Sequence, residues 1–136
     1  MICEEYPTVF QLTSTVEGIL RKNVGPVDIL VNCFPGGSIT GAPKIRSMEI
    51  IEELELVKRG IYTGAIGYLG FNQDMDTSIV IRTIIIKGDK AYFNVGGGIV
   101  YDSDSNREYQ ETLDKARALM MALKFQNPKL KTNINL

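Results

Sequence analysis

The hydrophobic period of this chain changes twice, and those changes constrain its fold more than any other feature. Ile45, Met48, Ile51 and Leu54 recur at helical spacing, the mark of an amphipathic helix. From residue 62 onward β-branched and aromatic residues take over, in runs at 62–71, 77–87 and 90–100. Gly88-Asp89 between the last two runs predicts a tight hairpin turn. After Asp102 the helical period returns, with Tyr109, Thr112, Leu113, Ala116, Leu119, Met120 and Leu123 on one broad face. Ser105, three residues before Glu108, is suited to cap that helix.

Upstream, Ser14 and Glu17 have capping-box spacing, and Val16, Ile19 and Leu20 follow helically, which predicts a short helix to about residue 22. Pro26 opens a second short helix, since proline is tolerated in a first turn. A glycine-rich loop over residues 34–41 then feeds the helix that carries Ile45 to Leu54. The resulting order is helix, loop, helix, three strands, helix. It has no strand–helix alternation, so the fold class is α+β with an antiparallel meander rather than a doubly wound parallel sheet. A chain of 136 residues holds one folding unit. That unit is expected over residues 1–126, with residues 127–136 an unstructured tail.

Composition narrows the chemistry. Hydrophobic residues at 44% and charged residues at 23% are the balance of a globular protein. Fifteen Lys and Arg against sixteen Asp and Glu are scattered rather than gathered, which removes the footprint of a nucleic-acid or membrane-surface protein. Cys3 and Cys33 lie far apart and there is no histidine, so zinc, thiol–disulfide and Ser-His-Asp chemistry are not expected. No apolar run approaches the roughly 20 residues of a membrane span and the N-terminus lacks a signal-peptide layout, so the expected location is cytoplasmic.

Several residues stand out for chemistry. In the run over residues 77–87 Arg82 shares a face with Val80 and Ile84, where a buried guanidinium needs a partner. That partner is either an internal carboxylate such as Asp76 or Asp102, or a bound anion matched by the planar fork. Gly96, Gly97 and Gly98 close the third strand, where three glycines signal a bulge, a turn or a close approach to the backbone, including a carboxylate received on free N–H groups. Glu108 and Glu111 share one helix face. They read either as a cap and a solvated carboxylate or as hard oxygen ligands for Mg²⁺. Lys115 lies one turn further on, placed to pair with Glu111 or with an anion. The loop around Ser38 lacks the Gly-Lys-Ser/Thr ending of a nucleotide-binding loop.

The longer motifs carry a resemblance. Phe34-Pro-Gly-Gly-Ser-Ile-Thr-Gly-Ala-Pro-Lys44, Gly64-Ala-Ile-Gly-Tyr68, Met75-Asp-Thr-Ser-Ile-Val-Ile-Arg-Thr83, Gly96-Gly-Gly-Ile-Val100 and Glu108-Tyr-Gln-Glu-Thr112 together resemble the chorismate-utilising enzymes. That family includes anthranilate synthase component I, aminodeoxychorismate synthase component I, and salicylate and isochorismate synthases. The resemblance runs from Tyr6 to about Leu123 and implies the C-terminal part of a two-layer α/β sandwich. It also implies that Ser38, Tyr62, Arg82, Gly96, Gly97, Gly98 and Lys115 contact chorismate, and that Glu108 and Glu111 are Mg²⁺ ligands. Gln11 stands where many relatives carry histidine, and a neutral amide orients a hydroxyl but exchanges no proton.

Within the family, Gly-Gly-Ser-Ile-Thr-Gly and Gly-Gly-Gly-Ile-Val resemble aminodeoxychorismate synthases, whereas anthranilate synthases more often show Ala-Gly-Thr-Leu-Ser-Gly and Gly-Ala-Gly. The implied activity is amination of chorismate to 4-amino-4-deoxychorismate for folate, with ammonia from a glutamine amidotransferase subunit. The alternatives are anthranilate synthesis and a non-catalytic chorismate-binding module. Full family members are several times longer. The resemblance places their nucleophilic lysine, an acidic catalytic residue and a further Mg²⁺ ligand upstream of this segment, so the isolated chain is expected to be inactive and prone to self-association.

Overall fold

The computed structural model of the chain describes residues 2–7, 9–126 and 131–135. In chain order the elements are β1 (Ile2–Tyr6), β2 (Val9–Thr13), α1 (Pro26–Cys33), α2 (Gly37–Thr40), α3 (Lys44–Leu54), β3 (Ala65–Leu69), β4 (Met75–Ile79), β5 (Ile85–Lys87), β6 (Lys90–Asn94), α4 (Ser105–Gln126) and β7 (Lys131–Asn135). Helices and small sheets in this arrangement make the fold α+β. β1 pairs with β2 and β3 with β4, both antiparallel, while β5, β6 and β7 form a third sheet in which β5–β6 is antiparallel and β6–β7 parallel.

The core lies between β6 and α4. Alternation along β6 turns Ala91 and Phe93 to the same side, 0% and 1% exposed, where they meet Ala116, Leu119 and Leu123 of α4. Ile84, Val95 and Met120 flank this cluster. A strand of period two thus presents its inward face to a helix stripe of period 3.6, the usual way to close a small core. Full burial of a side chain the size of Phe93 contributes about 2–3 kcal/mol.

Local chemistry explains the ends of the elements. Pro26 occupies the first turn of α1, and the Gly25 N–H donates to Asp28 Oδ2 at 2.8 Å, filling an otherwise orphaned position. α4 is capped by Asp104, whose Oδ1 accepts the Arg107 N–H at 3.0 Å. Ser105 is therefore the first helical residue rather than the cap. Gly88-Asp89 makes the hairpin turn between Lys87 and Lys90, with Gly88 at φ +62°, a value glycine adopts without cost.

Three further expectations are corrected. Residues 14–20 have no regular structure. Val16 and Ile19 are 94% and 101% exposed, and a short helix with nothing to pack against does not persist. The N-terminal residues instead form the β1–β2 hairpin, with Tyr6 opposite Val9. The run over residues 77–87 is not one strand: Ile81 N–H bonds back to the Ile79 carbonyl and Arg82 takes φ +50°, so the chain bends and the meander breaks into two sheets. Of the tail expected to be unstructured, Lys131–Asn135 pairs in parallel with β6, and residues 127–130 and 136 lie outside the described residues.

Much apolar surface is open. α3 buries no residue, leaving Ile45 and Leu54 of its apolar face 75% and 73% exposed. Among the described residues no helix is long and apolar enough to cross a membrane.

Core and surface aromatics should therefore behave oppositely. Phe93→Ala is expected to lower stability by about 3–5 kcal/mol, and Phe71→Ala, whose ring is fully exposed, by no more than about 0.5 kcal/mol. Denaturant midpoints of the two variants check this, and similar shifts would contradict the placement of the core.

Candidate functional site

Three segments converge beyond the end of β6. The first is the turn after α3, where Tyr62 N–H bonds to the Arg59 carbonyl at 3.0 Å and Gly64 N–H to the Ile61 carbonyl at 3.0 Å. Arg59 pins this turn by a bidentate pair with Glu55, Nε to Oε2 at 2.9 Å, and by donating from Nη1 to Thr63 Oγ1 at 3.2 Å. The hydrogen bond to Glu55 holds the Arg59 guanidinium more firmly protonated than usual. The second segment is Gly96, Gly97 and Gly98. The third is the first three turns of α4, whose Glu108, Glu111 and Lys115 project toward those glycines.

Side chains crowd two of these glycines, Gly96 and Gly97. A Cβ on Gly96 would lie 3.0 Å from Tyr62 Oη. One on Gly97 would lie 3.1 Å from Glu108 Oε2, 3.8 Å from Glu111 Oε1 and 3.9 Å from Lys115 Nζ. Three charged groups from successive turns of α4 thus surround one point that only glycine leaves free. Lys115 Nζ donates to the Gly96 carbonyl at 3.1 Å and pairs with Glu111 Oε1 at 2.5 Å. Because the Glu111 side chain is 54% exposed, that pair adds little stability, on the order of 0.5 kcal/mol. It holds the ammonium over the glycine backbone.

Tyr62 is half-buried, and that burial raises its phenol above the ordinary range, against the opposing pull of Arg59 and Lys115. The phenol is therefore neutral at physiological pH and can donate to an anion. The two carboxylates fit a hard cation: both offer oxygen and both are turned toward the gap at Gly97. Among the described residues no group of three or more acidic, His or Cys side chains could hold a metal ion. A cation here would take its remaining ligands from water and substrate, as Mg²⁺ commonly does.

Other residues singled out in the sequence lie elsewhere. Arg82 is exposed on the bend between β4 and β5, not buried on a strand face beside the glycines. Alternation could not reveal this, because the bend is set by backbone dihedrals and not by hydrophobic pattern. Ser38 is an exposed residue of α2. Its neighbours Pro35 and Thr40 join Glu55, Arg59 and Tyr62 in lining a cleft of about 510 Å³. Gln11 lies exposed on β2, opposite Glu4. Gly98 follows Gly97 with open space around it.

Two contributors were not legible. Arg59 reads as one more surface charge in a Lys-Arg pair, and only its spacing from Glu55, one helical turn apart, hints at a clamp. Ser103 lies in a run of Asp and Ser residues from which Ser105 looked the better cap, yet it is Ser103 that donates to Glu108.

A neutral phenol, an ammonium, two carboxylates and a glycine backbone thus converge on one place in the structure. The model of the family described as chorismate binding enzyme matches residues 1–121, and the chain belongs to that family. It is 52% identical over 122 residues to anthranilate synthase component 1 of Neisseria gonorrhoeae, covering 90% of this chain and 25% of that protein. It is 51% identical over 123 residues to anthranilate synthase component 1 of Acetivibrio thermocellus, with 90% and 25% covered. Against aminodeoxychorismate synthase component 1 of Bacillus subtilis the identity is 47% over 131 residues, with 96% and 28% covered. The chain thus spans about a quarter of the length of these relatives.

The raised phenol gives a direct check. Stability contributed by a neutral Tyr62 is fully present below the unfolded phenol pKa of about 10 and is lost as pH climbs through the higher folded value. In a titration of tyrosinate absorbance, Tyr62→Phe should remove a component that ionises above the ordinary phenol range. Removal of a component within that range would contradict the burial of this side chain.

Proposed function

We propose that this chain is the C-terminal part of an aminodeoxychorismate synthase component I, which aminates chorismate to 4-amino-4-deoxychorismate on the route to 4-aminobenzoate and folate. The observation that carries this reading is the gap at Gly97. The Gly-Gly-Gly-Ile-Val run resembles aminodeoxychorismate synthases, and an alanine in the Gly-Ala-Gly style of anthranilate synthases would bring a methyl within 3.1 Å of Glu108 Oε2, closer than side chains ordinarily pack.

In this reading Lys115, the Tyr62 phenol and the backbone N–H groups of Gly96 to Gly98 receive the carboxylates of chorismate, and Glu108 and Glu111 hold Mg²⁺. When bound, the cation neutralises a substrate carboxylate and orients the ring. Glu111 shared with a cation would loosen its pair with Lys115, freeing the ammonium for the substrate. Ser38 would approach from the loop side. Arg82 would join only if the bend at residues 80–84 closed toward the glycines. Ammonia would come from a glutamine amidotransferase subunit, and a cytoplasmic location goes with such a partner. Gln11 supplies no proton, so acid–base chemistry rests on groups outside these residues. The isolated chain is therefore proposed to leave chorismate unconsumed.

Anthranilate synthesis is the second reading, favoured by the name of the Neisseria gonorrhoeae relative at 52% identity. Product identity separates the two. The full-length enzyme given chorismate, Mg²⁺ and ammonium should form a compound that a lyase converts to 4-aminobenzoate. Direct appearance of fluorescent anthranilate would overturn the proposal in favour of the second reading.

A further inference from the structure

The Glu108 carboxylate is held by a residue that precedes its helix. Ser103 Oγ donates to Glu108 Oε1 at 2.5 Å, which turns the other oxygen, Oε2, toward the gap at Gly97. The same hydroxyl oxygen accepts the Val100 N–H at 3.1 Å, and the Ser103 N–H donates to the Val100 carbonyl at 3.0 Å. Ser103 is thus fixed by a reciprocal backbone turn before it reaches the carboxylate. Both Ser103 and Glu108 are half-buried, so water competes with this bond less than it would at an open surface. Asp104 caps α4 immediately afterwards, and this ties the height of the helix start to the Ser103 turn.

We infer that Ser103 is a positioning residue: it fixes the Glu108 carboxylate so that one oxygen is spent on the turn and the other faces the cation gap beside Glu111. This rests on the reading of Glu108 and Glu111 as cation ligands. Free rotation of a glutamate in the first turn of a helix would otherwise spread Oε2 over several rotamers, and a partner that holds a ligating carboxylate commonly contributes ten-fold or more to metal affinity. The hydroxyl leaves both carboxylate charges intact, since it donates without neutralising.

The test is Mn²⁺ binding to the chain, followed by the loss of free-ion electron paramagnetic resonance, with thermal unfolding of each variant measured in parallel. Ser103→Ala is expected to weaken Mn²⁺ binding about ten-fold, Ser103→Thr to retain it, Ser105→Ala to leave it unchanged, and Glu108→Gln to abolish it. Loss of binding in Glu108→Gln with wild-type binding in Ser103→Ala would overturn the positioning role and leave the carboxylate site standing. Equal loss in Ser103→Thr and Ser103→Ala would overturn it too, by showing that the turn and not the hydroxyl matters. Wild-type binding by Glu108→Gln, or none by the unsubstituted chain, would overturn the cation site and the inference together.

Discussion

The contact of Phe93 and Ala91 with Ala116, Leu119 and Leu123 fixes everything else in the candidate site. These residues set both the rotation of α4 about its axis and its height along β6. Glu108 and Thr112 continue the same stripe toward the helix N-terminus, spaced by four residues from each other and from Ala116. At that level β6 has ended, and Gly96 and Gly97 stand where a strand would otherwise present side chains. A carboxylate therefore occupies the stripe position that faces backbone instead of core. Glu111 and Lys115 flank it one position round the helix, which brings both charges to the same gap.

The electrostatics follow from this placement. Burial keeps the Tyr62 phenol neutral, the Lys115 ammonium is shared between Glu111 and the Gly96 carbonyl, and Glu108 accepts from Ser103. Lys115 and Glu108 each have a partner, but these pairs lie partly in water and are easily exchanged for a ligand. Strong pairs buried in the core would have stabilised the fold and blocked the site. Apolar residues are widely exposed on α3 and before α1, and α4 too leaves Tyr109, Met121 and Phe125 open on its outer side while its inner stripe closes a core with β6.

What was legible in the sequence tracks what is local. The stripe of α4, Pro26 at the start of α1 and Gly88-Asp89 in the hairpin are each decided within a few residues by period or dihedral preference, and each is found in place. The convergence of Tyr62, Gly96, Gly97, Glu108, Glu111 and Lys115 came from motif resemblance together with the chemistry of each residue. Burial of Arg82 and a helix from Ser14 failed for a shared reason. Both inferred a partner from pattern alone, whereas a strand needs a straight backbone through residue 82 and a short helix needs a surface to pack on. β7 was missed because Lys131–Asn135 is mostly polar, and its pairing depends on the distant edge of β6. The roles of Arg59 and Ser103 depend on turn geometry that composition does not encode.

The central claim is that packing of α4 on β6 turns Glu108 and Glu111 toward Gly97, where we propose that they hold a cation. The most direct measurement is a crystal structure of the protein grown with Mn²⁺, phased to give an anomalous difference map. The account predicts an anomalous peak within coordination distance, roughly 2.0–2.3 Å, of oxygens from both Glu108 and Glu111 and next to the Gly97 backbone. A peak held by other residues, or a helix turned so that the two carboxylates face away from Gly97, would contradict it.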